Sequence, residues 1–447
     1  MLSRLNRSSW VIPAVVAVVV AVLPNMGLSV YWSTQLILIA IYSLIVSGLN
    51  LSFGYAGQLA LGQVAFFAAG AYVAAILRVR ADNPELLIAV ALAMLLAGVM
   101  GLVVALPAIR LGGWPLALSS FFVVLLIPDV LLVFEGLTNG RRGIIGVFGL
   151  EFLGIEIDRD RFYVLTMALT ALWLFALRNL IKSRYGMALQ LLKQSPQLAS
   201  SLAVNVPMLR FSAYGIGALP AGLAGVLFAY NIGIVDPTSF SLHIVMSLFA
   251  ASIVGGARSI WGAPVGAFLL VAGPMQAQSF ASYSTIAYGV FLIAVGVFIP
   301  GGLAGIGSRV WAKVAGRSAL ERSLREVPVS ETSIVFPGKE LIARDVHKRF
   351  GGLKALEGAE LTAGAGKVTA LIGPNGAGKT TLLNAISGFI DVRQGSIRLG
   401  DDDLIGRSAA DIARQGVART FQTPASHTGL RSSTSSCRVG FEWVGWG

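Results

Sequence analysis

The chain has 447 residues, of which 55% are hydrophobic and 13% charged, and a formal net charge of +12. A water-soluble domain carries about 25% charged residues, so most of this chain is written for a non-aqueous setting. The positive balance fits the cytoplasmic face of a membrane better than nucleic acid, because the basic residues do not interleave with aromatics.

In chain order, Arg4 and Arg7 precede an apolar run to Val22 that resembles a secretory signal. Leu23-Pro24-Asn25 is a poor cleavage site and further apolar runs follow, so the reading is a retained first span. Runs at 10–29, 35–53, 59–77, 85–107, 115–134, 162–180, 209–230, 241–257, 262–279 and 283–300 predict about ten membrane spans. About 20 helical residues cross a bilayer, and lipid requires each backbone group to be bonded within its own helix. The apolar alternation of a membrane β-barrel is absent. With ten spans both termini share a side. A modest Lys and Arg bias, and more strongly the need of a G-x-x-x-x-G-K-T phosphate loop at 373–380 for cytoplasmic ATP, place Arg4, Arg7, Arg110 and the 181–208 loop inside, and the 135–161 loop with Glu135, Arg141, Arg142, Asp158, Arg159 and Asp160 outside.

Small residues recur four apart, at Gly217, Ala221 and Gly225 and at Gly262 and Gly266. This spacing predicts close helix packing, with pore lining as the alternative. Gly54, Gly57 and Gly62 fall where one span gives way to the next, a candidate broken helix. Asp129 follows Pro128 near the end of an apolar run, and reads as an interfacial residue or as part of a translocation path. Residues 301–340 turn glycine-rich and then charged (Lys313, Arg317, Glu321, Arg322, Arg325, Glu326), a polar linker. A single cysteine, Cys437, excludes an internal disulfide framework, and three scattered histidines (His243, His347, His427) argue against a histidine-built metal centre.

Gly373-Pro374-Asn375-Gly376-Ala377-Gly378-Lys379-Thr380 meets the phosphate-loop pattern G-x-x-x-x-G-K-[ST]. Lys367 to Ile372 reads as a strand before it, and Thr381 to Ser387 as a helix after it. That order aims backbone N–H groups and a positive helix end at phosphates. Lys379 would neutralise the β- and γ-phosphates of ATP, and the Thr380 hydroxyl would bind Mg²⁺.

The neighbours narrow the reading. Val346 to Leu356 precedes the loop and Gly416-Val-Ala-Arg-Thr-Phe-Gln422 follows it. This segment resembles the ATP-binding subunit of an ABC transporter of the branched-chain amino acid importer type. The resemblance implies that Phe350 stacks on adenine, that Thr381 joins the loop in nucleotide binding, and that Gln422 contacts Mg²⁺ or the attacking water. The membrane half is similar to the permease of the same importers at Leu49 to Tyr72, Ser183-Arg-Tyr-Gly186 and Gly255 to Gly266. The likeness covers about residues 10–305 and 340–422.

The resulting fold expectation is mainly α. It comprises a polytopic helical permease over 1–305, a linker over 306–339, the amino-terminal part of an α/β P-loop domain over 340–424, and an unrelated tail over 425–447. The resemblance implies ATP and Mg²⁺ as cofactors and a bacterial inner-membrane location with the ATP-binding segment cytoplasmic. Its implied partners are a second permease subunit, a second ABC ATPase subunit, a periplasmic substrate-binding protein and an amino-acid substrate. It also makes Gln194 to Val204 a coupling helix that docks on the ATPase, although the family's acidic residues and glycine are replaced there by Gln197 and Ser200. No LSGGQ-type signature, Asp-Glu strand or switch histidine follows Gln422, and a frameshift after Pro424 is one expectation for that loss. Alternatives are a permease served by a separate ATPase, a carrier of urea or short amides, and a membrane-anchored P-loop kinase or GTPase. The last lacks an Asn-Lys-x-Asp motif.

Overall fold

The computed structural model describes residues 29–81, 85–111, 113–277, 289, 302–306 and 338–419. The predicted spans at 10–29 and 283–300 and the tail from 425 lie essentially outside them. The chain divides into two compact units. One comprises residues 1–190 and 207–316, the other residues 191–206 and 317–447.

The first unit is helical. Helix α1 runs over Val30–Leu49 and continues as a π-helical turn over Asn50–Tyr55. Then come α2 (Gln63–Arg80), α3 (Leu86–Leu111), α4 (Gly113–Val133), α5 (Arg159–Lys182), α6 (Arg184–Gln194) and, in the second unit, α7 (Pro196–Ser201). The first unit resumes with α8 (Val206–Ile232), α9 (Leu242–Gly255) and α10 (Gly262–Ala277). Six helices among the described residues are long and apolar enough to cross a bilayer, and α9 and α10 are shorter apolar helices. Each matches one of the predicted runs. The total of about ten is left neither reached nor refuted.

Burial sorts the helices. The most apolar windows of α1 and α8 are 72% and 78% buried, against 28%, 33% and 22% for α3, α4 and α5. The first pair is central and the other three present apolar side chains outward, among them Leu95, Val103, Phe122 and Leu172. Lipid gives helices no hydrophobic reason to associate, so close backbone approach must carry the packing. The glycine spacing does this. A Cβ built on Gly222 of α8 would lie 2.6 Å from the Ala93 carbonyl oxygen, and one on Gly225 2.3 Å from that of Phe67. Gly266 of α10 meets the Ala251 carbonyl at 2.1 Å by the same test. Asp129 lies within α4 and is exposed, one turn before Val133.

The 135–161 loop folds into a cap. Strand β1 (Ile144–Ile145) pairs antiparallel with β4 (Ile234–Val235), and β2 (Glu151–Phe152) forms a hairpin with β3 (Ile155–Glu156). Two side chains tie the helices to it. Arg78 of α2 donates to the Phe148 carbonyl at 2.5 Å, and Glu85 accepts from the Leu153 and Gly154 amides. Asp236 caps the 3₁₀ turn Pro237–Phe240 by accepting from the amides of Thr238 and Ser239.

The second unit holds an antiparallel sheet of order β6-β5-β7-β8. Its strands are β5 (Leu341–Phe350), β6 (Leu353–Ala363), β7 (Gln394–Leu399) and β8 (Asp402–Asp403). Gly351-Gly352 turns β5 into β6. Helices α11 (Lys379–Ile386) and α12 (Ala409–Arg414) complete it. The buried residues of the strands face one core, where Ala343, Val346, Leu356 and Ile397 meet Leu382, Ile386 and Ile412 from the helices; a register shift between Ala343 and Val346 lets both reach it although they are three apart.

One expectation is corrected. Residues 367–372 form no strand, and Val368 and Ile372 are 93% and 90% exposed. A strand exists only with a hydrogen-bonding partner. The four described strands pair among themselves, which leaves this apolar run without one.

Candidate functional site

The loop 373–378 runs over the surface and ends in α11. Two glycines shape it, with Gly376 at φ 88° and Gly378 at φ 78°, in the left-handed region where a side chain is strained. Gly378 carries a second constraint: a Cβ there would lie 2.7 Å from the Ala355 carbonyl oxygen of β6. The backbone therefore passes tight against β6 and turns directly into the first turn of α11, made of Lys379, Thr380 and Thr381. Leu382, Ala385 and Ile386 anchor that helix in the core. The arrangement holds the amino end of a helix behind a glycine-rich loop, which is an anion-binding geometry.

Lys379 folds back over the loop. Its Nζ donates to the carbonyls of Gly373 at 2.6 Å and Pro374 at 2.7 Å. The ammonium is thus held inside the curve of the loop, where an incoming phosphate would meet it. Thr380 is exposed and its hydroxyl is open to a cation carried by such a phosphate. Pro374, Asn375 and Ala377 are exposed on the same turn.

Phe350 closes β5, where it pairs with Leu353. Its ring is 47% exposed, and the Lys348 ammonium stands 5.5 Å from the ring centre. The ring is therefore not part of the core. Gln422 lies outside the described residues. The last described residue before it, Arg419, donates through its guanidinium to the Asn384 side-chain oxygen on α11.

The cytoplasmic-loop candidate, 194–204, forms a helix of its own. Ser195 caps α7 by accepting from the Leu198 amide at 3.2 Å, and Pro196 takes the first helical position. Helix α12 packs on α7, and Arg414 donates to the Ala203 carbonyl at 3.4 Å. Ala199 and Ser201 are buried. The missing glycine of the family pattern did not prevent a short, capped helix, since Ala203 itself takes the left-handed turn at φ 63°.

Comparison with known proteins follows these two parts of the chain. Residues 31–299 match the family model described as the permease component of the branched-chain amino acid transport system. The chain belongs to that permease family. In it, the high-affinity branched-chain amino acid transport permease LivM of Escherichia coli K12 is 29% identical over 287 residues, 59% of this chain and 67% of that protein. Residues 356–438 of this permease chain match the ABC transporter model. The ATP-binding protein BraF of Pseudomonas aeruginosa is 49% identical over 74 residues, and a probable LivG of Methanocaldococcus jannaschii is 40% identical over 84. These cover 29% and 33% of the respective relatives, so the chain spans about a third of the ATP-binding proteins it matches. A permease and an ATP-binding segment are therefore joined in one chain.

Two features of the permease unit escaped sequence reasoning. The π-helical turn at Asn50–Tyr55 continues α1 without a break, and no residue pattern there separates π from α geometry. The buried amides of Gln58 and Gln63 stood in a stretch read for its glycines.

Proposed function

We propose that the chain is a membrane component of an ATP-driven importer of branched-chain or related amino acids in the bacterial inner membrane. The family match over 31–299 supports the permease role. The observation that carries the ATP-driven part is the loop 373–380. Its glycines take left-handed conformations, Lys379 is curled within it, and α11 begins where the phosphates would end.

In this reading Gly373, Pro374, Asn375, Gly376, Ala377 and Gly378 offer backbone to the phosphates. Lys379 would neutralise phosphate charge, Thr380 and Gln422 would hold Mg²⁺, Thr381 would support the first turn, and Phe350 would stack on adenine. The loop and Phe350 lie on the same unit as α7, and the α7–α12 contact would carry nucleotide-driven motion into the chain at 191–206. A second permease, a second ABC ATPase and a periplasmic binding protein would complete the machine. The ATP-binding segment would then face the cytoplasm.

Isolation of the complex and Lys379→Ala together test this. The expected result is co-purification of a separate ATPase subunit and leucine uptake that falls in the variant. Uptake untouched by Lys379→Ala would leave the chain a permease alone, with the separate ATPase providing all turnover.

A further inference from the structure

We propose that two interrupted segments of the permease unit, 50–62 and 252–262, form the point through which the polar end of a zwitterionic amino acid passes. Ser52, Gln58, Gln63 and Tyr214 would be its transient hydrogen-bond partners. This rests on the importer reading above.

The segments are alike in kind. The first leaves α-helical geometry at Asn50, passes through the π turn and an irregular stretch, and resumes as α2 at Gln63. The second is the break between α9 and α10, where α9, at 14 residues, falls short of the roughly 20 needed to cross a bilayer. Glycines mark both, at Gly54, Gly57 and Gly62 and at Gly255, Gly256 and Gly262.

They also touch. A Cβ on Gly54 would fall 1.8 Å from the Ala257 carbonyl oxygen. The Tyr55 hydroxyl donates to the Arg258 carbonyl at 2.8 Å, and Ser252 donates to Asn50 Oδ1 at 2.6 Å. Irregular backbone at membrane depth persists only inside protein or beside a polar path, and paired interrupted segments are where transporters place their substrates.

The second observation is chemical. Gln58 and Gln63 are each 2% exposed, and neither the oxygen nor the nitrogen of either amide has a hydrogen-bond partner. Ser52 Oγ and Asn50 Nδ2 are buried in the same condition, while the buried Tyr214 hydroxyl faces Ser120 and the Gly62 backbone. Leaving such a group unbonded costs about 1–3 kcal/mol, so a cluster of them calls for something polar that comes and goes.

Ser52, Gln63 and Tyr214 converge. Ser52 Oγ and Gln63 Nε2 lie 2.7 Å and 3.7 Å from where a Cβ on Gly217 would sit, and Tyr214 Oη lies 2.8 Å from the corresponding point on Gly62. Gly62 caps α2 and offers no side-chain acceptor, so the positive end of an 18-residue helix opens among these side chains. Amides and hydroxyls can serve both an ammonium and a carboxylate, while no buried charge is present among them to trap either. The void beside Gln63, lined also by Leu49, Ala60 and Leu248, measures about 10 Å³. That is room for one water, so the passage is closed in this conformation.

The test is leucine uptake into proteoliposomes holding the full chain with its co-purified partner subunits, alongside thermal unfolding of each variant. The double variant Gln58→Leu, Gln63→Leu should lower maximal uptake at least tenfold with KM unchanged and unfolding temperature unchanged or raised. Tyr214→Phe, which removes one hydroxyl, should lower it about threefold. Wild-type uptake with both variants at wild-type rates would overturn the inference and leave the importer reading standing. Uptake lost only in proportion to folded protein would make the cluster structural and overturn it too. Failure of the wild type to carry leucine would sink the importer reading itself, and this inference with it.

Discussion

Gly378 shows how one position can be held by two independent constraints. Its φ of 78° puts any replacement in the left-handed region, and its neighbour, the Ala355 carbonyl, leaves no room for a Cβ. Gly378→Ala should therefore destabilise the second unit by about 1–3 kcal/mol and weaken nucleotide binding. Hydrogen exchange of α11 amides in the full chain reads the first effect, and titration with a fluorescent ATP analogue reads the second. Lys379→Ala should behave differently, with at least a tenfold loss of analogue binding and no change in exchange. The lysine bonds only exposed loop carbonyls and holds no part of the core.

At the scale of elements, packing explains what the apolar runs could and could not convey. Eight of the predicted runs correspond to helices because a long lipid-facing or lipid-depth run has no other way to satisfy its backbone. The phosphate loop was legible for a similar reason, since its glycines and lysine are required locally. The run 367–372 was misread because strand formation depends on a partner elsewhere, which no local pattern reveals. The cap was equally hidden, since β1 pairs with β4 some 90 residues on, from Ile144 to Val235.

Two element-level outcomes follow. Gly222→Leu would drive a side chain into the Ala93 carbonyl and should cost about 1–3 kcal/mol, seen as a lower unfolding temperature in detergent. Asp236 should give the cap an acid-sensitive edge. Burial pushes its carboxyl up, but hydrogen bonds from Thr238 and Ser239 together pull it below the ordinary carboxylate range. A depressed value means the stabilisation is complete above the ordinary carboxylate pKa and lost as pH falls through the lowered one. Exchange of the Thr238 and Ser239 amides should therefore quicken only in that acid window, and Asp236→Asn should flatten the dependence.

For the whole molecule, the question is how a nucleotide event in one unit reaches the membrane helices. The chain itself offers the route, because α6 leads into α7 and α8 leaves directly after it, while α12 grips α7 through Arg414 and Ala203. Arg414→Glu should leave analogue binding intact while uptake falls several-fold, a split that a binding defect would not produce. The most direct measurement is accumulation of labelled leucine by proteoliposomes containing the full chain, its co-purified partners and the substrate-binding protein, with ATP or a non-hydrolysable analogue at the face of the phosphate loop. An importer of this class should concentrate leucine with ATP alone, and excess isoleucine or valine, but not urea, should compete. Uptake that equilibrates without ATP, or that follows urea and ignores the branched-chain amino acids, would contradict it.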